Sequence, residues 1–220
     1  LLLYALTVSS GAVDAISFLV LGKVFTAFMT GNVAFVGLRF AGAGGPDKVA
    51  ILVSMAAFAL GVYLSTLIVK GSEGSGTWPR RVTIALGVSL IAHAGFLAVW
   101  FSTGGQPSVH ISHVLLGAWG MAMGMQTAAV RTLHVDGVFT TAATATFTIL
   151  VGDLVRWTAT AAERRRLRGV LISLFAGAAT GGLLLVHAPF YAPVLPVAIA
   201  VVTVATAAIV MQEPSTRRQP

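Results

Sequence analysis

The sequence predicts an all-α polytopic membrane protein with about six full spans, two broken or re-entrant segments and two inverted repeats. Composition is the first observation: of 220 residues, 56% are hydrophobic and 10% charged, and the mean hydropathy is +0.89. A soluble domain carries about 25% charged residues, so this chain lacks the polar coat of a water-soluble fold. Second, apolar runs of roughly twenty residues, the length that crosses a bilayer, recur along the chain. Third, a polar, break-prone stretch interrupts each half. Together these describe a single membrane domain over 1–220, with repeat one at about 1–102, repeat two at about 109–211 and a polar tail at 212–220.

Segment one covers about 2–22, carries Asp14 near its middle and is followed by Lys23. It is too long, and too interrupted by Ser9, Ser10, Gly11 and Asp14, for a signal-peptide core. The chain opens at Leu1 without an initiator Met, so a short preceding tail is expected. The first break is VFTAFMTGNVAFVG, residues 24–37. Thr26, Thr30, Gly31 and Asn32 lie close together in it, and these are weak helix formers. A loop rich in Gly and Pro (41–48) leads to segment three at 49–69. A second polar loop (70–81) leads to segment four at 82–101, and a Gly/Pro turn closes the half.

The second half repeats this order. Segment five covers about 109–130, with Gln126 near its end, and 131–137 links it to the second break, VFTTAATATFTILV at 138–151. Aligned without a gap, Val24, Phe25, Thr26 and Thr30 match Val138, Phe139, Thr140 and Thr144, while Gly31 and Asn32 face Ala145 and Thr146. Arg156 and residues 163–168 read as a charged linker, followed by segment seven at 169–186, a turn at 187–189 and segment eight at 190–211. The matching order of elements strengthens the repeat.

Charge decides whether the breaks cross. With eight crossings, Lys and Arg divide nine to five between the faces. With both breaks dipping in and returning, they divide eleven to three, and Lys and Arg collect on the cytoplasmic side. The six-span topology follows, with both termini cytoplasmic and the halves inverted. Non-helical backbone at membrane depth must be buried in protein or line a wet cavity. The two breaks, entering from opposite faces, are expected to meet near the midplane and to present helix N-termini to a solute.

At GAVDAISFLVLGKVFTAFMTGN (11–32), and at GMQTAAVRT (124–132) followed by VFTT, the chain resembles the YoaK-like family of bacterial inner-membrane proteins, a domain of unknown function. The resemblance extends over nearly the whole chain and implies a multi-pass protein of about six spans in the bacterial inner membrane. It supplies no substrate or reaction. The family pattern has Asn after Gln and Thr-Gly in the second break; here Thr127 and Thr144-Ala145 stand there.

Asp14 is the leading site residue, because an ionisable group within a span costs about 2.5–3.5 kcal/mol and has to face the bundle interior, pair or be neutralised. Gln126 takes the corresponding place in segment five. With Thr26, Thr30, Gly31, Asn32, Thr140, Thr144 and Thr146, they form the predicted solute-binding set, the break residues supplying neutral donors and acceptors. Lys23 and Arg131 read as snorkelling interface cations. His93 reads as a satisfied core histidine, and His110 with His113 lack a third ligand for a metal. Asp153 and Arg156 read as an i,i+3 pair. Residues 164–168 anchor topology and touch lipid headgroups. Gly120 with Gly124, Gly177 with Gly181, and Ala57, Gly61 and Ser65 have the small-residue spacing of close helix contacts.

The sequence has no cysteine, which excludes disulfides and thiolate metal sites. No cofactor is expected. The net charge of +7 fits orientation and anionic headgroups, without the architecture of nucleic-acid binding. Ser-His-Asp groupings, phosphate loops and paired carboxylates are missing, which argues against an enzyme. The favoured function is a secondary transporter of a small polar or anionic solute. The alternatives are a passive channel and a non-transporting scaffold. Membrane lipids are expected partners, and the close-packing glycines suit a homo-oligomer as well as a single bundle.

Overall fold

A computed structural model describes residues 1–72, 78–133, 143–156 and 158–210, the side chain of Arg156 excepted. The described residues form eight α-helices and no strand: α1 (Leu2–Val20), α2 (Met29–Phe40), α3 (Lys48–Val69), α4 (Arg80–Ser102), α5 (Val109–Arg131), α6 (Ala143–Arg156), α7 (Ala161–His187) and α8 (Val194–Val210). A 3-10 turn, Pro189–Tyr191, precedes α8. Five described segments are long and apolar enough to cross a membrane: α1, α3, α4, α7 and Pro189–Val210. The α5 helix is as long, but His110, Ser112, His113 and Gln126 make it more polar, and it is the most enclosed helix.

Local chemistry sets the ends. The Asp47 carboxylate caps α3 by accepting the Ala50 N–H at 3.1 Å. Thr160 and Glu163 form a reciprocal capping box at the start of α7, with bonds of 3.2 and 2.6 Å. That box corrects the sequence reading, which made 163–168 a linker. The arginines there occupy the first turns of α7 instead. The α1 helix ends where Gly22 (φ 134°) and Lys23 (φ 59°) turn the chain back, Lys23 taking a left-handed conformation that non-glycine residues seldom adopt. Thr30, Gly31 and Asn32 also move: they lie in the first turn of α2, and the non-helical part of the first break is 24–28, continuing the turn at 21–23.

Close contacts fix the helix directions. Carbon built at Gly120 and Gly124 meets Ser54 and Phe58 of α3, so α3 and α5 run parallel. At Gly177 and Gly181 it meets Val8 and Ala12, so α1 and α7 also run parallel. Gln126, near the end of α5, donates to the Leu6 carbonyl near the start of α1 at 3.3 Å, so those two helices are antiparallel. We call the face where α1 starts proximal and the other distal. α1 therefore ends and α3 begins on the distal face, and α5 ends and α7 begins on the proximal face. Lys70, Arg80, Arg81, Arg131 and Arg164–Arg168 lie at the proximal ends of their helices, and Lys23, Arg39 and Lys48 lie on the distal side.

The same contacts recur in both halves. The Leu174 carbonyl closes on Gly11 as the Phe58 carbonyl does on Gly124, and the Val8 carbonyl on Gly177 as that of Met121 does on Gly61. Gly11 and Gly124 are 113 positions apart, as are Val8 and Met121; Phe58 and Leu174 are 116 apart, as are Gly61 and Gly177. Two apolar clusters fill the interior. The distal one centres on Phe96, Trp100 and Trp119, with the Phe96 and Trp119 rings stacked at 3.5 Å. The proximal one gathers Leu6, Val82, Leu86 and Val130. The helices pack in the sequence α2, α3, α5, α1, α7, α6. The expectation that the two breaks meet at the midplane falls partly on 138–142, which lie outside the described residues; among those described, α2 rests on α3 and α6 rests on α7.

Candidate functional site

Asp14 lies six residues before the end of α1, about 9 Å along the axis. The turn at Gly22-Lys23 sends the chain back to that depth, where α2 begins. Here the backbone of 25–28 is not helical, and its N–H groups need partners. Asp14 supplies them. One carboxylate oxygen accepts the N–H groups of Thr26 and Ala27, both at 2.8 Å, and the Thr26 hydroxyl at 3.3 Å. The other accepts the Phe28 N–H at 3.0 Å. Asp14 is partly buried and acceptor-only in its ionised form, which suits four donors.

Asn32 completes the knot. Its amide oxygen accepts the Phe25 N–H at 3.0 Å, and its amide nitrogen donates to the Phe25 carbonyl at 2.6 Å. Ser54 on α3 donates to the same carbonyl at 2.6 Å. One fully buried side chain thus replaces the backbone partners that Phe25 lacks. Rings of Phe18 and Phe35 stack on Phe25 at 5.0 and 6.1 Å, giving the polar knot an apolar cover. Gly31 is required by that cover, since a carbon built there lies 2.9 Å from the Phe25 and Phe28 rings.

Asp14, Thr26, Gly31 and Asn32 are therefore brought together, and they hold the break itself. At the α2 N-terminus, where free N–H groups are expected, those of Met29 and Gly31 bond the Ala27 and Phe28 carbonyls at 3.0 and 3.2 Å, and the N–H groups of 26–28 leading into the helix are occupied by Asp14. Thr30 is exposed and points away from the knot. In the second half Thr146 is fully buried, as is its sequence match Asn32, and Thr144 is exposed, as is Thr30. Thr140 lies outside the described residues. Gln126 is buried and ties α5 to α1; the contact register sets Thr127, not Gln126, opposite Asp14.

Three other singled-out residues have described surroundings, while the side chain of Arg156, the expected partner of Asp153, lies outside the described residues. His93 is buried, but its Nδ1 has no hydrogen-bond partner among the described residues. Asp153 bonds Arg164 at 2.7 Å and the Ala159 N–H at 2.6 Å, joining the end of α6 to the start of α7. His113 lies 3.1 Å from Asp47 on the distal rim. There Asp47 is held below the usual carboxylate range, first by the Ala50 N–H and then by His113.

Sequence reasoning missed a cleft of about 490 Å³ between the proximal ends of α3 and α5. Phe58, Thr66, Lys70, Thr127, Arg131 and Thr132 line it. The available signal was a threonine one turn before a cation at the end of each helix, Thr66 before Lys70 and Thr127 before Arg131.

Apolar helices long enough to span, wrapped around a carboxylate-held break, define a multi-pass membrane protein. The family model described as "Protein of unknown function (DUF1275)" matches residues 2–206, and the chain belongs to that family. It is 36% identical over 156 residues to the UPF0700 transmembrane protein YoaK of Bacillus subtilis (strain 168), a match covering 70% of this chain and 66% of that protein. No solved structure matches the chain.

Proposed function

We propose that the protein is a secondary transporter of a small polar or anionic solute, built from two inverted three-span repeats with a re-entrant helix in each. The observation that carries this reading is the exchanged, parallel pairing of α1 with α7 and of α3 with α5 by matched glycine contacts. Together with the antiparallel α1 and α5, it supports halves of opposite orientation, the arrangement by which repeat-built carriers open to alternate sides. On this reading α5 is the sixth span. The proximal face, with Lys70, Arg80, Arg81 and the arginines of α7, is cytoplasmic. The membrane is a bacterial inner membrane, and lipids are partners there.

Asp14 is the coupling group. Its carboxylate sits where a bound anion would sit, on three backbone N–H groups. Taking up a proton removes its charge and weakens all four bonds, which frees the break to move. The test is flux in proteoliposomes with and without a proton or sodium gradient. Asp14→Asn abolishes gradient-driven uptake and leaves exchange partly intact; equal flux with and without any gradient would instead identify a channel. A non-transporting scaffold has its own support, since Asp14 and Asn32 spend their bonds inside the break. On that reading every variant changes assembly alone.

A further inference from the structure

We propose that the cleft between the ends of α3 and α5 binds a small carboxylate or phosphate anion drawn from the aqueous phase. This gives the transporter reading its solute class, and rests on that reading only for the claim that the bound anion is cargo. The argument starts from the repeat. In the first half the break brings its own anion, the Asp14 carboxylate. Under the 113-position register of α1 and α5, Asp14 corresponds to Thr127, so the second half has a neutral hydroxyl where the first has a charge. Thr127 lines the cleft, and so do Lys70 and Arg131, while among the described residues no Asp or Glu does. Neither cation has an ion-pair partner among the described residues. The Arg81 guanidinium donates to the Lys70 carbonyl, which brings a third positive charge to the rim.

The plainer account of each cation is that it complements the negative end of its own helix. That explains Lys70 and Arg131 singly. It does not explain why parallel packing sets the two, 61 positions apart, on one cleft of about 490 Å³ with three threonines and an apolar wall at Phe58. Such a space accepts a molecule of a few carbons, and two cations select its charge.

The test is calorimetric titration of the full chain in detergent with L-malate, glycerol 3-phosphate and dihexanoyl phosphatidylglycerol. A soluble anion binds the wild type, and Lys70→Gln or Arg131→Gln weakens it at least tenfold. Thr127→Asp fills the cleft with a carboxylate, as Asp14 does in the first half, and removes binding; Thr127→Asn retains it. Thermal melting confirms that each variant is folded, and either cation variant suffices if the other is not. Binding that ignores both cations overturns the proposal, as does equal loss in Thr127→Asp and Thr127→Asn. So does no binding of any probe at millimolar concentration. Binding of the phospholipid alone reassigns the cleft to a headgroup and overturns the soluble anion. Flux without anion binding here would remove the site and leave the transporter; binding without flux would do the reverse.

Discussion

The two short helices α2 and α6 begin alike and are held differently. Met29 starts α2 and Ala143 starts α6, 114 positions on, and in each the second residue is an exposed threonine and the fourth is buried. The α2 helix is anchored at its start: Asp14 on α1 and Ser54 on α3 hold the backbone leading into it. The described anchor of α6 is at its other end, where Asp153 bonds Arg164 and Ala159 of the neighbouring α7. The lesson is that a shared chain path does not imply a shared chemistry. One charge, present at position 14 and replaced by a hydroxyl at 127, changes what each half needs from its surroundings.

Removing the charged anchor is the most severe break. Asp14→Ala strands three N–H groups at membrane depth, and leaving a buried donor unsatisfied costs about 1–3 kcal/mol. Unfolding of the solubilised protein by SDS titration should show a loss of about 3 kcal/mol or more. Gln126→Ala removes one long bond and should cost about 1 kcal/mol. Equal losses would mean that the Asp14 carboxylate holds its break no better than one amide bond ties α5 to α1.

The glycine contacts test the repeat itself. Carbon built at Gly177 collides with the Val8 carbonyl, and at Gly61 with that of Met121. Alanine at either site should destabilise by about 1–3 kcal/mol, and by similar amounts, because overpacking forces backbone apart. A large cost at one and none at the other would break the equivalence of α3 and α7.

Within the knot, Asn32→Ala should lose about 2 kcal/mol in the same titration, since the Phe25 N–H is left without its acceptor. Thr30→Ala, on the outer side of the same turn, should change stability by less than about 0.5 kcal/mol. That contrast reads the inward and outward faces of α2 directly.

The smallest effect lies at the distal rim. Asp47 has a folded pKa below its unfolded one, so its contribution is full above the ordinary carboxylate range and is lost as pH falls through the depressed value. Asp47→Ala should lower the melting temperature slightly at pH 7, in keeping with a cap worth about 1 kcal/mol, and the difference from wild type should shrink in acid. A difference independent of pH would mean that the carboxylate is not the cap.

Much of this was legible in the chain. Long apolar runs specify helices because the bilayer leaves backbone polar groups no other partner. Caps and turn residues then set most boundaries to within a few positions. Val138, Phe139 and Thr140 lie outside the described residues, but further along the ungapped match Thr30 and Thr144 are both exposed and Asn32 and Thr146 both buried. The capping box at Thr160 was also written in the sequence, hidden by the weight given to four arginines.

What the sequence by itself determined, then, is the helical class, the order of the long apolar segments and the break around Asp14. Tertiary structure alone decided the partners: that α3 pairs with α5 and α1 with α7, that Asp14 meets Thr26, Ala27 and Phe28, and that Lys70 shares a cleft with Arg131. The reason is physical. Periodicity and composition record which residues avoid water or break a helix, and these are properties of neighbours along the chain. Which carbonyl approaches which glycine depends on the packing of helices more than a hundred residues apart.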